Sequence, residues 1–219
     1  MPLHTAEALV LRTYKLGEAD RIVVFLTRDR GKKRGVAKGA RRQRSPFAGA
    51  LEPLTEVRVA YFESERRELV GLNYAETVRS PLVLASPGAS TETGHYILVE
   101  YFAELLDEWA PEADPNETLF RLGASMVDAI VKGVPIEPLA RYFEYWLLKL
   151  QGVYEADARF SDEARTFLRT ARAVSPLGLH DVAVSRATLR EIEAGHRTQI
   201  ANYLEKDLKS VRVLREMRR

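Results

Sequence analysis

The apolar residues change their period once along this chain, at Arg79-Ser80-Pro81, and that change restricts the fold more than any other feature. Before it, short runs alternate with the two-residue period of strands. Ala8 to Lys15 is rich in strand formers. Ile22, Val24 and Leu26 share one face of a second run, with Val23 and Phe25 on the other. Asp29-Arg30-Gly31 is a turn signal, and a third run follows through Val36. Val57, Val59 and Tyr61 alternate in a fourth, and Glu68 to Tyr74 gives a fifth with Val70, Leu72 and Tyr74 in step. No stretch among them is long enough for a helical crossover between parallel strands. The expectation is a small antiparallel barrel, an OB-fold or, as the alternative, an SH3-like barrel.

After a Pro-, Ser- and Gly-rich linker to about Thr91 the period becomes helical. Leu98, Phe102, Leu105 and Trp109 lie on one stripe. Asn116 is placed to cap a helix carrying Leu119, Leu122, Met126 and Ile130, closed by Gly133. Leu139, Phe143, Trp146 and Leu150 mark a third helix, closed by Gly152. Ser161 caps a fourth with Ala164, Phe167 and Leu168. Ser185 starts a short fifth, and a last helix is expected to run to about Leu208. The fold class expected is therefore α+β: a five-stranded OB-fold barrel over residues 1–79, then an all-helical domain over 80–219.

The charge is divided in the same way. Residues 1–79 hold 16 Lys/Arg against 10 Asp/Glu, residues 80–170 hold 7 against 15, and residues 171–219 hold 10 against 6. A basic first part beside an acidic middle suggests that the first part meets an anion. The basic residues concentrate between Arg28 and Arg44: Arg28, Arg30, Lys32, Lys33, Arg34, Lys38, Arg41, Arg42 and Arg44, with Asp29 the one acid. Solvated surface runs usually mix both signs, and this one does not. Gly31, Gly35 and Gly39 interrupt it and leave the backbone open to close approach. It spans a hairpin and the following loop, where barrels of this kind bind oligonucleotides. Lys32, Lys33, Arg34, Lys38, Arg41, Arg42 and Arg44 are thus candidate phosphate contacts. Phe47, just beyond, either stacks on a base or plugs the core beneath the loop. The basic C-terminal stretch (Lys206, Lys209, Arg212, Arg215, Arg218, Arg219) reads either as a complement to a helix macrodipole or as a second phosphate contact.

Patterns for enzymatic chemistry are missing. The chain has no cysteine, and His4, His95, His180 and His196 are scattered, so neither a disulfide nor a zinc site is expected. No nucleophile elbow, zincin or phosphate-loop motif occurs, and no catalytic residue or cofactor is assigned. The N-terminus lacks a basic segment followed by a long apolar core, and no apolar run could span a bilayer, so a cytoplasmic protein without membrane contact is expected. The aromatic-rich stretch 137–151 has apolar residues on more than one face. Part of it, with Arg141, Tyr145 and Leu148, is a candidate groove for an acidic peptide ending in an aromatic residue.

Several strings then resemble one family. Glu7-Ala-Leu-Val-Leu-Arg-Thr, Leu16-Gly-Glu-Ala-Asp-Arg-Ile, Gly35-Val-Ala-Lys-Gly-Ala-Arg-Arg and Phe47-Ala-Gly-Ala-Leu-Glu-Pro are similar to the RecO family of bacterial DNA repair proteins. Arg141-Tyr-Phe-Glu-Tyr-Trp-Leu-Leu-Lys-Leu-Gln-Gly looks like its central helix, and Leu208-Lys-Ser-Val-Arg-Val-Leu resembles its C-terminal signature. The resemblance implies an OB-fold followed by helices. It implies a recombination mediator that binds single- and double-stranded DNA, anneals complementary strands and, with RecR, helps load RecA onto strands coated by single-stranded DNA-binding protein (SSB). It also implies docking of the acidic SSB tail on the helical part. Many members carry a four-cysteine zinc element after the central helix. This chain has only a short run between Gly152 and Ser161, so the metal is expected to be absent. The alternative function is a generic binder of single-stranded DNA or RNA without mediator activity.

Overall fold

The computed structural model describes residues 2–64, 67–82 and 92–217. Five strands come first: β1 (Leu3–Leu16), β2 (Asp20–Thr27), β3 (Gly31–Ala37), β4 (Glu56–Phe62) and β5 (Val70–Arg79). They close into a barrel in the order β1-β2-β3-β5-β4, with β4 returning to β1. This is the OB-fold topology, and it settles the choice between the two barrels. One pairing departs from the expected all-antiparallel sheet. β3 and β5 run parallel over Gly35–Ala37 against Val70–Leu72, and the connection from β3 to β5 passes through β4 on the far side of the barrel. β1 is long enough to pair with both β2 and β4 because a register shift between Val10 and Arg12 bends it around the barrel.

The strand alternation sorts two sets of side chains. Ala8, Val10, Val23, Phe25, Val57, Val59 and Tyr61 fill the barrel interior. Leu9, Leu11, Val24 and Leu26 face outward and are equally buried, because the helices cover that side. Both faces of the second strand are therefore apolar for different reasons.

Among the described residues six α-helices follow: α1 (Glu92–Trp109), α2 (Glu117–Val131), α3 (Ile136–Leu150), α4 (Asp162–Ala173), α5 (Arg186–Leu204) and α6 (Lys209–Met217). The expected caps form: the side chains of Asn116, Ser161 and Ser185 accept from the backbone N–H of Leu119, Ala164 and Thr188. Two expectations fail. The short fifth helix and the last one are a single 19-residue α5, and the chain then turns at Glu205 (φ 53°) into a separate α6. Leu150 lies on the exposed side of α3 rather than in its stripe. Most of the linker, residues 83–91, lies outside the described residues.

The helices clamp onto the barrel at small residues. A Cβ on Gly123 of α2 would lie 2.6 Å from a Leu9 methyl and 2.9 Å from one of Leu106, so glycine is what lets α2 reach β1. Gly31, at φ +67°, lies against the Asp114 backbone, and a side chain there would collide with it. Arg79, at the end of β5, bonds both Glu56 (2.6 Å) and Asp128 of α2 (2.9 Å) and ties the barrel's exit to the helices.

At the place where the resemblance would put a four-cysteine zinc element, the segment after α3 is held by side chains. Tyr154 packs edge-on against Tyr145 (4.9 Å) and under Lys149 (5.0 Å). Glu155 exchanges two backbone hydrogen bonds with the Gln199 amide, and Phe160 is buried against Gly195. With no thiolate donor and this aromatic packing, the segment does not fit a zinc ion.

Candidate nucleic-acid interface

The basic run divides into two halves at the end of β3. On the strand side, every cation has a carboxylate. Arg28 bonds Glu7 (3.3 Å) and Glu117 (3.0 Å), and Arg30 lies 3.7 Å from Asp29. Lys32 is 8% exposed; its Nζ donates to the Asp107 carbonyl oxygen at 2.6 Å and sits 3.3 Å from the Asp107 carboxylate and 3.5 Å from Glu112. Its backbone is also engaged, with Pro111 and Ala113. Lys33 bonds Glu63 at 2.7 Å, and that hydrogen bond holds the Glu63 carboxyl below its usual range. Arg34 bonds Glu112 at 2.9 Å. Of the three residues expected to support a phosphate surface, Lys32 and Lys33 are engaged in joining β3 to α1 and to the end of β4, while the Arg34 guanidinium stays exposed beside Glu112.

On the loop side, Lys38, Arg41, Arg42 and Arg44 are exposed, and among the described residues none has a carboxylate within 4 Å. The loop is built rather than loose. Asp20 accepts from the Gly39 N–H at 2.8 Å, and the Arg41 N–H donates to Ala19 at 2.9 Å. The Arg41 guanidinium spans the carbonyls of Gly17 (3.1 Å) and Glu18 (2.8 Å). These bonds fasten the loop to the β1–β2 turn. Phe47 is 3% exposed and plugs the barrel beside Ala50 and Leu51. It has no free face for a base, which decides between its two roles in favour of the core. The result is four cations displayed on an anchored loop, with a favourable field for a phosphate chain and no counter-charge to displace.

The C-terminal basic stretch is less uniform. Lys206 pairs with Glu108. Lys209 starts α6, so the macrodipole argument does not apply to it; Glu104 instead accepts from the N–H groups of Lys209 and Ser210 at that end. Arg215 does sit in the last turn, Arg212 is exposed, and Arg218 and Arg219 lie outside the described residues.

The three residues expected to form a partner groove on α3 are buried, and Arg141 borders a small cleft with Leu98, Glu137 and Arg186. Leu148 is 0% and Tyr145 5% exposed, both inside the helical core. Arg141 is 4% exposed and lies in a buried network. Its guanidinium is 3.0 Å from Glu144 and 3.4 Å from Glu193, while Glu144 also accepts from Tyr101 (2.8 Å) and meets His196 (3.1 Å). Burial and the Glu144 charge push the Tyr101 hydroxyl well above its ordinary range, so it stays a donor.

Two open grooves had no place in the sequence reading. One, of about 900 Å³, lies between α1, the α2–α3 turn and α6. Its floor includes Leu98, Ile130, Val134 and Met217, and its rim carries Lys132 and Arg186 beside His95 and Glu137. The other, of about 650 Å³, lies on the barrel between β3 and β5, with Val36, Phe62 and Leu69 in its lining and Lys38 and Arg67 at its rim. The signal that could have found the second is Gly71, a glycine inside a strand, which often marks a close approach. Among the described residues no three His, Asp or Glu side chains converge as metal ligands, and no helix is long and apolar enough to cross a membrane.

Comparison with known proteins agrees with the order of barrel and helices as far as α3. Residues 1–81 match the family model described as "Recombination protein O N terminal", and residues 93–156 match "Recombination protein O C terminal". Among similar proteins are three named DNA repair protein RecO. That of Koribacter versatilis is 40% identical over 150 residues, covering 68% of this chain and 59% of its own length. That of Bifidobacterium adolescentis is 40% identical over 132 residues (60% and 52%), and that of Anaeromyxobacter sp. 35% over 145 residues (66% and 55%). The matched stretch thus spans little more than half the length of these relatives.

Proposed function

Since the chain belongs to the RecO family of DNA repair proteins, matched in order by both its N- and C-terminal models, we propose that it is a recombination mediator acting by binding alone. In this reading it holds single- and double-stranded DNA by their phosphates, brings complementary strands together and, with RecR, helps RecA onto strands coated by SSB, in the cytoplasm at the nucleoid. One observation carries it: the cations of the basic run that lack carboxylate partners all lie together on the loop of Lys38, Arg41, Arg42 and Arg44. Neutralised phosphates release counterions whatever the base sequence, which is what annealing of arbitrary complements requires. No bond-breaking step is assigned to any residue.

The acidic SSB tail is assigned to the groove between α1, the α2–α3 turn and α6. Its apolar floor suits a terminal aromatic side chain, and the exposed Arg186 suits the acids and terminal carboxylate, with Lys132, which also bonds Asp128 at 2.9 Å, beside it. This replaces the buried Arg141, Tyr145 and Leu148.

The deciding experiment is annealing of complementary strands pre-coated with SSB, followed with and without the chain and with and without RecR. Faster annealing with the chain supports the mediator reading. Binding of bare strands without any annealing of coated ones would leave the generic single-strand binder as the better reading.

A further inference from the structure

The pairing of β5 on both sides places three residues in one row across the barrel. Gly71 lies opposite Val36 of β3 and opposite Phe62 of β4. The next row, Ala37, Leu72 and Tyr61, points into the barrel core, so Val36, Gly71 and Phe62 form a row on the outer face. That face is covered by helices over β1 and β2, but the Val36–Gly71–Phe62 row borders the open groove.

At the middle of the row there is no side chain. Gly71 is not among the residues at positive φ, and a Cβ there would meet no atom within 4 Å. Neither backbone strain nor crowding calls for glycine, and glycine weakens a strand. What it leaves is a slot. Strands stand about 4.8 Å apart, so the backbones carrying Val36 and Phe62 are about 9.6 Å apart across it. Lys38, from the basic loop, and Arg67, from the β4–β5 connection, border the slot, and neither has a carboxylate within 4 Å among the described residues. Glu68 is the one acid in the lining.

We propose that this slot receives a single unpaired nucleobase, its ring over the Gly71 backbone between Val36 and Phe62, with the flanking phosphates held by Lys38 and Arg67. The walls are apolar and offer a phosphate nothing in exchange for its water, while a flat aromatic ring loses little by leaving water and gains an aromatic neighbour. A paired base is stacked inside its duplex and does not reach the slot. The phosphate loop then serves both kinds of strand, and the slot adds affinity for unpaired ones only. The inference rests on the phosphate-loop reading and adds the group that distinguishes single strands from duplex.

The test compares an oligothymidylate with an abasic phosphodeoxyribose strand of equal length, which carries the same charges without bases. The parent protein is expected to bind the strand with bases about five-fold or more tightly, the scale of one stacked base. Gly71→Leu fills open space, so its thermal melt should match the parent's. It should erase the preference while leaving abasic and duplex affinities unchanged. Phe62→Leu keeps the groove apolar, removes the ring and should reduce the preference. Equal binding of both strands by the parent, or an intact preference in a folded Gly71→Leu, would overturn the proposal. The loop reading fails in a separate measurement, the change that Arg42→Ala with Arg44→Ala makes in the salt dependence of abasic-strand binding, to which neither a base nor the slot's own Lys38 and Arg67 contributes.

Discussion

Lys32 and Asp107 lie 75 residues apart in sequence, yet the lysine ammonium donates to the Asp107 carbonyl oxygen at 2.6 Å and rests 3.3 Å from its carboxylate. Both side chains are almost fully buried between β3 and α1. This pair converts a residue of the basic run from a ligand contact into a joint between barrel and helices. Lys32→Met should therefore destabilise the fold by about 3 kcal/mol, because the buried Asp107 carboxylate loses its closest cation, whereas Glu112 keeps Arg34 at 2.9 Å. Arg12, 3.4 Å from Asp107, limits the loss. Urea unfolding measures it. The salt slope of DNA binding should not move, and a flattened slope in a folded Lys32→Met would return this lysine to the interface.

Arg141 behaves in the same way at the centre of the helical part. Truncating it leaves Glu144, 1% exposed, with Tyr101 and His196 alone among the described residues. Arg141→Ala is expected to cost 3 kcal/mol or more, roughly the penalty of breaking a buried pair. The tail assignment is tested elsewhere. Arg186→Glu and Lys132→Gln are exposed changes that should leave the melting temperature nearly unmoved, the second losing only the surface pair with Asp128, and should weaken binding of an acidic peptide ending in phenylalanine. Unaltered peptide affinity in the double variant would remove that groove from consideration.

The sequence made some levels legible and hid others, for definite reasons. Strand faces and helix caps depend on residues within a few positions of one another, so Val23/Phe25 against Val24/Leu26, or Asn116 before Leu119, can be read locally. The loop cations were legible as well, because the absence of acids around Lys38 to Arg44 is itself local. The partners of Lys32, Lys33 and Arg34 were not: Asp107, Glu112 and Glu63 arrive from 30 to 78 residues away. The row Val36–Gly71–Phe62 needs the barrel's closure before its members are neighbours at all. The single α5 was hidden because the Ser185 cap is local, whereas the stripe that joins it to Ile200 includes the polar His196, buried beside Leu189 and Ile192 only in the fold.

The segment between α3 and α4 carries a titration marker. Arg159 donates twice to Asp157, at 3.0 and 2.8 Å, and the Arg159 N–H adds a third bond at 2.9 Å. These bonds lower the Asp157 carboxyl from 3.8 to about 2. A depressed carboxyl favours the fold above its ordinary value, and that contribution disappears as pH falls from about 4 towards 2. A carbon-detected NMR titration should place the Asp157 midpoint near 2, and Arg159→Ala should bring it back towards 3.8. A midpoint near 3.8 in the parent would show that the turn is not held in this way.

The loop gives the sharpest prediction about DNA. Arg42 and Arg44 are exposed and unpaired among the described residues, whereas Arg41 also bonds the carbonyls of Gly17 and Glu18. For single strands, log affinity falls against log salt with a slope of about −0.7 per neutralised phosphate. Arg42→Ala with Arg44→Ala should flatten that slope by about 1.4 if each meets one phosphate, and adding Arg41→Ala should bring the change to about 2. The loss should be equal for unrelated sequences, since phosphates carry none of the base information. Annealing should fall with it. Stability should separate the three: the double variant should melt like the parent, because exposed loop charges contribute little to folding, while Arg41→Ala should lower the melting point slightly by releasing the loop from the β1–β2 turn. An unchanged slope in the folded triple variant would move the phosphate contacts off this loop, and Arg212 and Arg215 on α6 would then be the residues to alter.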